Sequence, residues 1–304
     1  MFKLSFITFG CKLNQAETLT WQEKLAESGV KIVDANQKPD YFIVNACAVT
    51  AKAERELRQK INQLKRLNAR AKIIVTGCYL AKNELIGYSV SRDKLVGLIL
   101  KLVGKTKKQP LPSSQPMRTR ALVKIQDGCN DFCAYCIVPF LRGRLKSKSI
   151  KNIIQEIKQR EVQGYQEVIL VGTDLQKFGN QRQSLVYLLK QILKRTNIPR
   201  IRLSSLWPTA INQALIDLFK NNPRLCPHFH LSMQSGSDKI LHQMGRRYTT
   251  KKVLRLIKKM RAIPNLSLTA DLIVGFPGET NEDFKQTIKF VQAAGLIKTH
   301  VFKY

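Results

Sequence analysis

Carboxylates are what this sequence has least of. Only 21 Asp and Glu stand against 52 Lys and Arg in 304 residues, a formal net charge of +31. That balance argues against cationic partners and for a polyanion, because neutralising phosphates and releasing their counterions drives most non-specific nucleic-acid affinity. A lysine-rich proteome would give the same charge, so the charge alone does not decide. No run of eighteen apolar residues occurs, which excludes a hydrophobic membrane-spanning helix, and Met1-Phe2-Lys3-Leu4 opens in a strand pattern and not in a signal peptide. Without an export signal, an odd number of cysteines, seven, argues against a disulfide framework and for a reducing cytoplasm that keeps thiols available. What is present is enough for a folded protein: 44% hydrophobic residues over a length that suits two domains.

Three of the cysteines share one loop. Lys124-Ile125-Gln126-Asp127-Gly128-Cys129-Asn130-Asp131-Phe132-Cys133-Ala134-Tyr135-Cys136 is a short apolar strand running into Gly-Cys, followed by two more cysteines. Thiols so close together pair, bind metal or do redox chemistry. A disulfide leaves one thiol over. A structural zinc site wants four ligands, and no fourth Cys or His lies nearby. Three thiolates on a cubane iron–sulfur cluster leave one iron open for a substrate, and this reading fits best.

The other cysteines follow a topological pattern. Residues 3–8 and 41–45 and Lys72-Ile73-Ile74-Val75-Thr76-Gly77 read as strands, and Cys11, Cys47 and Cys78 come just after them. Between them, a helix is expected from Gln15 to Ser28, stopped by Gly29. A basic helix follows, capped by Thr50 and running to about Leu67, with Ala53, Leu57, Ile61 and Leu64 on one face. Strands alternating with helices imply a parallel sheet, and the carboxyl ends of its strands are where such sheets build ligand sites. Residues 87–104 give no clear pattern.

A Pro- and Ser-containing basic stretch at 105–120 reads as a linker between an amino-terminal domain, 1–104, and a second domain, 121–304. In the second domain, strand-like segments recur at 121–126, 167–171, 200–204, 228–232, 267–274 and 299–303, with helical stretches between. The expected fold is therefore α/β: a parallel α/β sheet domain, then an incomplete (βα)6 TIM-like barrel. Barrels gather reactive groups at strand carboxyl ends, where the Cys129–Cys136 loop lies. His228 and His230 share a strand face, but no carboxylate or cysteine is spaced to complete a zinc site with them. Cys226 reads as a plain loop thiol.

The spacing Cys-x3-Cys-x2-Cys after a strand, with Tyr135 before the last cysteine, resembles the radical S-adenosylmethionine (SAM) enzymes. The flanks Gln126-Asp127-Gly128-Cys129-Asn130, Ile137-Val138-Pro139 and Arg142-Gly143-Arg144 resemble one branch of them, the methylthiotransferases. So do Gly10-Cys11-Lys12-Leu13-Asn14-Gln15, Asn45-Ala46-Cys47-Ala48-Val49-Thr50 and Thr76-Gly77-Cys78-Tyr79, with Ala46 where a hydroxyl residue is usual. His228 to Ser237, Met244 to Thr249 and Asp271 to Thr280 extend the resemblance over nearly the whole chain.

The resemblance implies two 4Fe–4S clusters. Cys129, Cys133 and Cys136 would hold the one that binds and reductively cleaves SAM, giving a 5′-deoxyadenosyl radical that removes hydrogen from an unactivated carbon. Cys11, Cys47 and Cys78 would hold an auxiliary cluster for sulfur insertion, and a second SAM supplies the methyl group. Tyr135, Gly172, Ser204, Gln234 and Arg246 are candidate contacts to SAM. The implied partners are the transfer RNA anticodon stem-loop and an electron donor such as flavodoxin or ferredoxin.

Substrates in the wider family are N6-threonylcarbamoyladenosine or isopentenyladenosine beside the anticodon, and an aspartate in a ribosomal protein. Gly10 to Gln15 and His228 to Gln234 most resemble the threonylcarbamoyladenosine branch. Three features depart from the family pattern. The chain as written ends at Tyr304 without the small carboxyl-terminal RNA-gripping barrel of relatives, Trp207 stands where they usually have an acidic residue, and the Gly172–Gly179 loop is altered. A truncated, non-catalytic iron–sulfur RNA-binding protein is the alternative of another class. Without the terminal barrel, basic stretches at Lys52–Lys72, Arg142–Lys148 and Lys251–Arg261 are the expected RNA grip, with Arg142 and Arg144 on phosphates.

Overall fold

A computed structural model describes residues 2–47, 51–78, 88–104, 119–180 and 182–304. The expected Thr50 cap, the residue after Cys78 and most of the expected linker lie outside the described residues. Contacts divide the chain into Met1–Ser114 with Phe140–Arg142, and Gln115–Pro139 with Gly143–Tyr304.

In the first unit the order is β1 (Lys3–Thr8), α1 (Lys12–Glu27), β2 (Lys31–Ile32), β3 (Tyr41–Cys47), α2 (Ala51–Leu67), β4 (Lys72–Cys78), β5 (Tyr88–Ser89) and α3 (Leu95–Val103). The strands form one parallel sheet in the order β2-β1-β3-β4-β5. Strand β3 is apolar on both sides because the sheet is covered on both faces, as parallel sheets require. Phe42 and Val44 join Leu57, Ile61 and Leu64 of α2 on one face. Ile43 joins Trp21 and Leu25 of α1 and Leu95 and Ile99 of α3 on the other. The α2 stripe is the expected one. Helix α1 begins three residues before the expected start, with Cys11 as its N-cap, and Gly29 follows its end at φ +79°, a left-handed position that glycine takes without strain. Helix α3 escaped the sequence reading because Leu-Val-Gly-Leu-Ile-Leu-Lys-Leu-Val has almost no polar face to betray a helical period.

The second unit begins with β6 (Arg120–Lys124), β7 (Gln126–Asp127), α4 (Val138–Arg142), β8 (Lys146–Ser147), α5 (Ile150–Val162), β9 (Glu167–Val171), α6 (Leu185–Arg195), β10 (Arg200–Leu203) and β11 (Ser205–Leu206). It continues with α7 (Gln213–Lys220), β12 (His228–Gln234), α8 (Asp238–Gln243), α9 (Thr250–Met260), β13 (Ser267–Val274), α10 (Asn281–Ala294) and β14 (Lys298–Lys303). By its contacts the last turn of α4, Phe140–Arg142, goes with the first unit. Strands β6, β9 and β10 pair in parallel, as do β11 to β14, and one strand interrupted at Ser204 supplies both β10 and β11. Six parallel strands in chain order with helices between them are the incomplete TIM-like barrel that the repeat pattern implied. All six expected strands are present; the third is interrupted at Ser204 and the first ends two residues early. Gln126 leaves it to pair antiparallel with Ser147, so β7 and β8 bracket the cysteine loop.

Alternation divides the two faces of each barrel strand. Phe229, Leu231 and Met233 of β12 and Leu268, Ala270 and Leu272 of β13 pack into the main apolar core beneath the helices. The intervening side chains face the other way. Helix starts are set by side-chain caps: Ser149, Ser184, Asn212, Ser237, Thr249 and Thr280 each accept a backbone N–H three residues on.

At α10 the cap becomes a network. Asp283 accepts hydrogen bonds from Lys239 Nζ (2.8 Å), Thr280 N (3.0 Å) and Ser237 Oγ (2.8 Å). The lysine first, then the backbone and hydroxyl donors, hold its carboxyl well below the usual carboxylate range. A group depressed in the folded state stabilises fully above its unfolded pKa, about 3.9 for Asp, and loses that contribution as pH falls. Asp283→Asn is therefore expected to lower stability at pH 7, and the gap from wild type should close as pH drops below about 4. Urea titrations at several pH values check this. A gap independent of pH would rule out the charge as its source.

Candidate cluster and cofactor sites

In the second unit the cysteine loop is pinned by groups that sequence reading had not weighed. Gln126 Nε2 donates to Gly128 O (2.9 Å), while its Oε1 accepts from Asp174 N (2.9 Å) and Thr173 Oγ1 (3.1 Å). One amide thus clamps the loop after β6 to the loop after β9. Gly172 has no room for a side chain here, since a Cβ would lie 2.7 Å from Gln126 Oε1. At Gly128, with φ +70°, a Cβ would meet Arg144 O at 2.1 Å. Backbone bonds Cys129 N to Gly143 O (3.1 Å), Ala134 N to Met244 O (3.2 Å) and Cys136 N to Cys133 O (2.9 Å) fix the rest.

Cys129, Cys133 and Cys136 are all free thiols on this one short loop. Burial pushes the Cys129 thiol up to about 11, against the Asp131 N–H that faces its sulfur at 3.4 Å, and burial raises Cys136 as well. Thiols kept neutral by burial are poor nucleophiles, whereas a metal deprotonates its thiol ligands outright. The donor set fits an iron–sulfur cluster.

Around the loop, the side chains expected to meet SAM fall in different settings. Tyr135 packs on Ile240, Met244, Ile273 and Phe276, and its hydroxyl accepts a hydrogen bond from Arg246. Arg246 is buried, with its guanidinium carbon 3.8 Å from the Trp207 ring centroid and 5.6 Å from that of Tyr135. Trp207, the residue that departs from the family pattern, thus offers the arginine a π-face where an acidic residue would offer a carboxylate. Among the described residues, Arg246 Nε and Nη1 and Ser204 Oγ are buried without a hydrogen-bond partner. Buried donors are costly to leave unpaired. These fit a ligand that carries charged and polar groups, as SAM does. Gln234 is buried at the end of β12 at φ +72°, a strained position for a non-glycine residue. Asp174 was not foreseen. It lies buried beside Asp131 and near Cys129, and burial pushes its carboxyl up to about 6 against the Lys177 ammonium 3.8 Å away.

In the first unit, Cys11, Cys47 and Cys78 come from three strand ends, and the fold draws them together. Cys47 and Cys78 are register partners at the ends of β3 and β4, roughly 4.8 Å apart along the sheet by strand spacing. Gly10, at φ +88°, passes so close to Cys47 that a Cβ there would lie 2.6 Å from Cys47 Cβ and 2.8 Å from its sulfur. Asn14 Oδ1 sits 4.0 Å from the Cys11 sulfur and 3.8 Å from that of Cys78. The Asn14 amide nitrogen in turn donates to Phe9 O and Ala46 O, both at 3.0 Å, tying the loop after β1 to β3. None of the three is in a disulfide. Two of the sulfurs lie near one amide oxygen and Gly10 packs against the third, an arrangement that again fits a metal cluster.

Arg142 overturns an expectation. It is buried and does not face phosphates: its Nε donates to Cys78 Sγ (2.9 Å), and Nη1 and Nη2 donate to Glu17 (3.0 and 3.2 Å). Glu17 and the cysteine sulfur consume the positive charge that the sequence reading had assigned to RNA. Burial raises the Cys78 thiol, while Arg142 and Arg92 pull it the other way. Arg144 is exposed, as expected. A second correction concerns the barrel histidines. Asp271, one strand over, comes within 2.9 Å of His230, a carboxylate that sequence spacing could not supply. Cys226 is buried in the loop before β12 and stays outside both thiol groups.

Comparison with known proteins agrees with this arrangement. The family model for the Radical SAM superfamily matches residues 123–291, and that of Uncharacterized protein family UPF0004 matches 3–97. The chain is 37% identical to "Threonylcarbamoyladenosine tRNA methylthiotransferase MtaB" of Thermotoga maritima, over 98% of this chain and 73% of that protein. It is also 37% identical to the protein of that name from Chlamydia pneumoniae, over 100% and 74% of the two chains. Among solved structures, the radical SAM methyltransferase TsrM from Kitasatospora setae superposes with a TM-score of 0.72 at 15% identity, covering 99% of this chain and 73% of its own, a likeness of fold alone. The chain spans about three quarters of the length of these relatives. With its two sets of cysteines and identity sustained across both units, the chain belongs to the radical SAM superfamily and, within it, to the methylthiotransferase family of the MtaB proteins.

Proposed function

We propose that this chain methylthiolates N6-threonylcarbamoyladenosine beside the transfer RNA anticodon, using SAM and two 4Fe–4S clusters. The observation that carries the proposal is a second group of three cysteines at strand ends besides Cys129, Cys133 and Cys136: Cys11 and Cys78 both lie near Asn14 Oδ1, and Cys47 is the register partner of Cys78. A radical SAM enzyme that only abstracts hydrogen needs one cluster, whereas inserting sulfur needs a further sulfur-bearing site. The names of the relatives support the substrate, as do the Gly10–Gln15 and His228–Gln234 segments. In this reading residues 1–104 carry the auxiliary cluster and residues 121–304 the SAM-cleaving one.

Cys129, Cys133 and Cys136 would hold a cluster supplying one-electron reduction of SAM, and Cys11, Cys47 and Cys78 one supplying sulfur. The chain's own residues hold the parts. Arg246 and Ser204 lend their unpaired donors to the polar end of SAM, and the close Gly172–Gln126 contact keeps the cysteine loop in register with the loop that carries Asp174. Apolar Ile240, Met244, Ile273 and Phe276 around Tyr135 keep water from the cysteine loop. Arg142 and Asn14 hold Cys78 in place and soften the repulsion of gathering thiolates. No helix among the described residues is long and apolar enough to cross a membrane. A cytoplasmic enzyme fed by flavodoxin or ferredoxin fits these properties. With Arg142 buried, the exposed lysines and arginines of α2 and α9 and Arg144 are left to meet the RNA backbone of the anticodon stem-loop.

Reconstituted protein should hold about eight irons per chain, the content of two all-cysteine 4Fe–4S clusters. Alanine at Cys129, Cys133 and Cys136 should halve the iron and abolish SAM cleavage. Alanine at Cys11, Cys47 and Cys78 should also halve it yet spare cleavage while stopping methylthiolation. Bound zinc, with no iron after anaerobic reconstitution, would refute both assignments. Mass spectrometry of digested transfer RNA tests the substrate. A strain deleted for the gene should lack the methylthio derivative of threonylcarbamoyladenosine; loss of the isopentenyl derivative, or unmodified ribosomal aspartate, would point to the other branches.

Gly10→Ala gives a finer test. It forces a Cβ into the space of the Cys47 side chain at a left-handed position, so the auxiliary site should lose its iron while the Cys129–Cys136 site keeps its own. Iron analysis paired with a SAM-cleavage assay reads both at once. Full iron content in this variant would mean that Cys47 is not a ligand.

A further inference from the structure

Strands β12, β13 and β14 bring together three polar side chains that neither cluster uses. His230 Nε2 lies 2.9 Å from Asp271 Oδ1, and His300 Nδ1 lies 3.6 Å from the same oxygen. The two imidazole rings are 5.2 Å apart, and Asp271 and His300 are register partners. Thr269 Oγ1 bonds His230 Nδ1 at 2.7 Å and His228 Nε2 at 3.1 Å. The hydroxyl holds one nitrogen of His230, so the other is aimed at the carboxylate. This is an oriented group, built on rigid strands.

Its position relates it to the SAM-cleaving site. Phe229, Leu231, Leu268, Ala270 and Leu272 point into the core under the helices, so His230, Thr269 and Asp271 lie on the opposite face of the barrel wall. Ile273 shares that face with Asp271, one pleat repeat or about 6.7 Å further along β13. Ile273 packs with Tyr135, the neighbour of Cys136. The polar group therefore sits one step down the barrel wall from the cysteine loop. It is not sealed: side-chain exposure is 14% at His230, 21% at Asp271 and 51% at His300.

We infer that His230, Asp271 and His300 form the subsite that receives the threonylcarbamoyl arm of the substrate adenosine, an inference that rests on the function proposed above. The three residues offer imidazole N–H donors and a carboxylate acceptor within a few ångströms. The threonylcarbamoyl group brings the complementary set, with carbonyl and carboxylate oxygens to accept and amide and hydroxyl hydrogens to donate. An isopentenyl group brings none, and would leave fixed polar groups unpaired as it displaced their water. A site built to hydrogen-bond a substrate group rejects an isostere lacking it far more strongly than an apolar pocket rejects a polar group. Asp271 and Thr269 act as positioning residues, and His300, the most exposed of the three, makes contact.

The test uses reconstituted holoenzyme and two synthetic anticodon stem-loop RNAs, one bearing N6-threonylcarbamoyladenosine and the other N6-isopentenyladenosine. His300→Leu should lower kcat/KM on the first RNA by about 10- to 100-fold, the range for losing one hydrogen bond to a charged group. The second RNA should react no worse than with wild type, so the ratio of the two inverts or collapses. His300→Gln, which keeps a donor, should recover part of the loss. Iron content and thermal midpoint control for folding, because His300 lies on the last strand and half in solvent. Equal losses on both RNAs, or an unchanged ratio, overturn the inference while leaving the proposed function standing. Wild type that does not modify the threonylcarbamoyl RNA refutes the proposed function and this inference with it. One tightly held zinc per chain that disappears in His300→Leu overturns it as well, since the three residues would then be metal ligands.

Discussion

Parallel sheets deliver the carboxyl end of every strand to the same edge, and the chemistry of this chain depends on that constraint. Side chains that must meet, such as Cys11, Cys47 and Cys78, are placed just past strands whose order and register are fixed by burial on both faces. No local motif is needed to gather them. A one-residue slip in β3 or β4 would turn the cysteines to the opposite face, because side chains alternate. The apolar runs of those strands therefore place the three cysteines as firmly as any motif would. The second unit uses the same edge differently, with three cysteines concentrated after one strand while Gly172, Ser204 and Gln234 come from the ends of β9, β10 and β12.

Gathering thiols raises an electrostatic problem, and the two units solve it in different ways. Removing charge from water is expensive unless a partner is present. Around Cys78 the partner is a buried cation, Arg142, itself balanced by Glu17. Around the Cys129–Cys136 loop the positive groups are Lys177, paired with Asp131, and buried Arg246, whose charge pulls Cys136 down against its burial, while burial leaves the Cys129 thiol protonated near neutral pH. Burial raises Cys78 and Cys129 alike, so at both sites a bound metal would be what deprotonates the thiols.

Much of this was legible in the sequence because it was written in local patterns. The cysteine spacing, the strand-then-cysteine repeats and the six barrel strands all use periods of a few residues, and every expected barrel strand is present. Helix α3 was not legible, since a helix that is apolar nearly all round loses its period. The rest of the site rests on partners far apart in sequence. Arg142 looked like one more surface cation in a basic stretch, and only Glu17, which the sequence places on a remote helix, explains its burial. His230 found its carboxylate on the next strand, and the role of Gln126 lies in a loop dozens of residues away. A sequence names residue types, but pairing across strands decides which of them face each other.

The scarcity of acidic residues takes on a sharper meaning once their positions are known. Several of them are spent inside, each against basic groups: Glu17 on Arg142, Glu167 on Arg200 and Arg202, Asp283 on Lys239. Such pairs cancel locally and contribute little field beyond the protein. Among the described residues, much of the basic excess faces solvent, including the exposed lysines and arginines along α2 and α9. At physiological ionic strength this field decays over about 8 Å, so it acts at contact range on a dense polyanion and weakly on an isolated carboxylate. A transfer RNA backbone, with its regularly spaced phosphates, gains from such a surface along its whole length. A single aspartate side chain gains almost nothing from it, and the charge distribution sides with an RNA substrate on that ground.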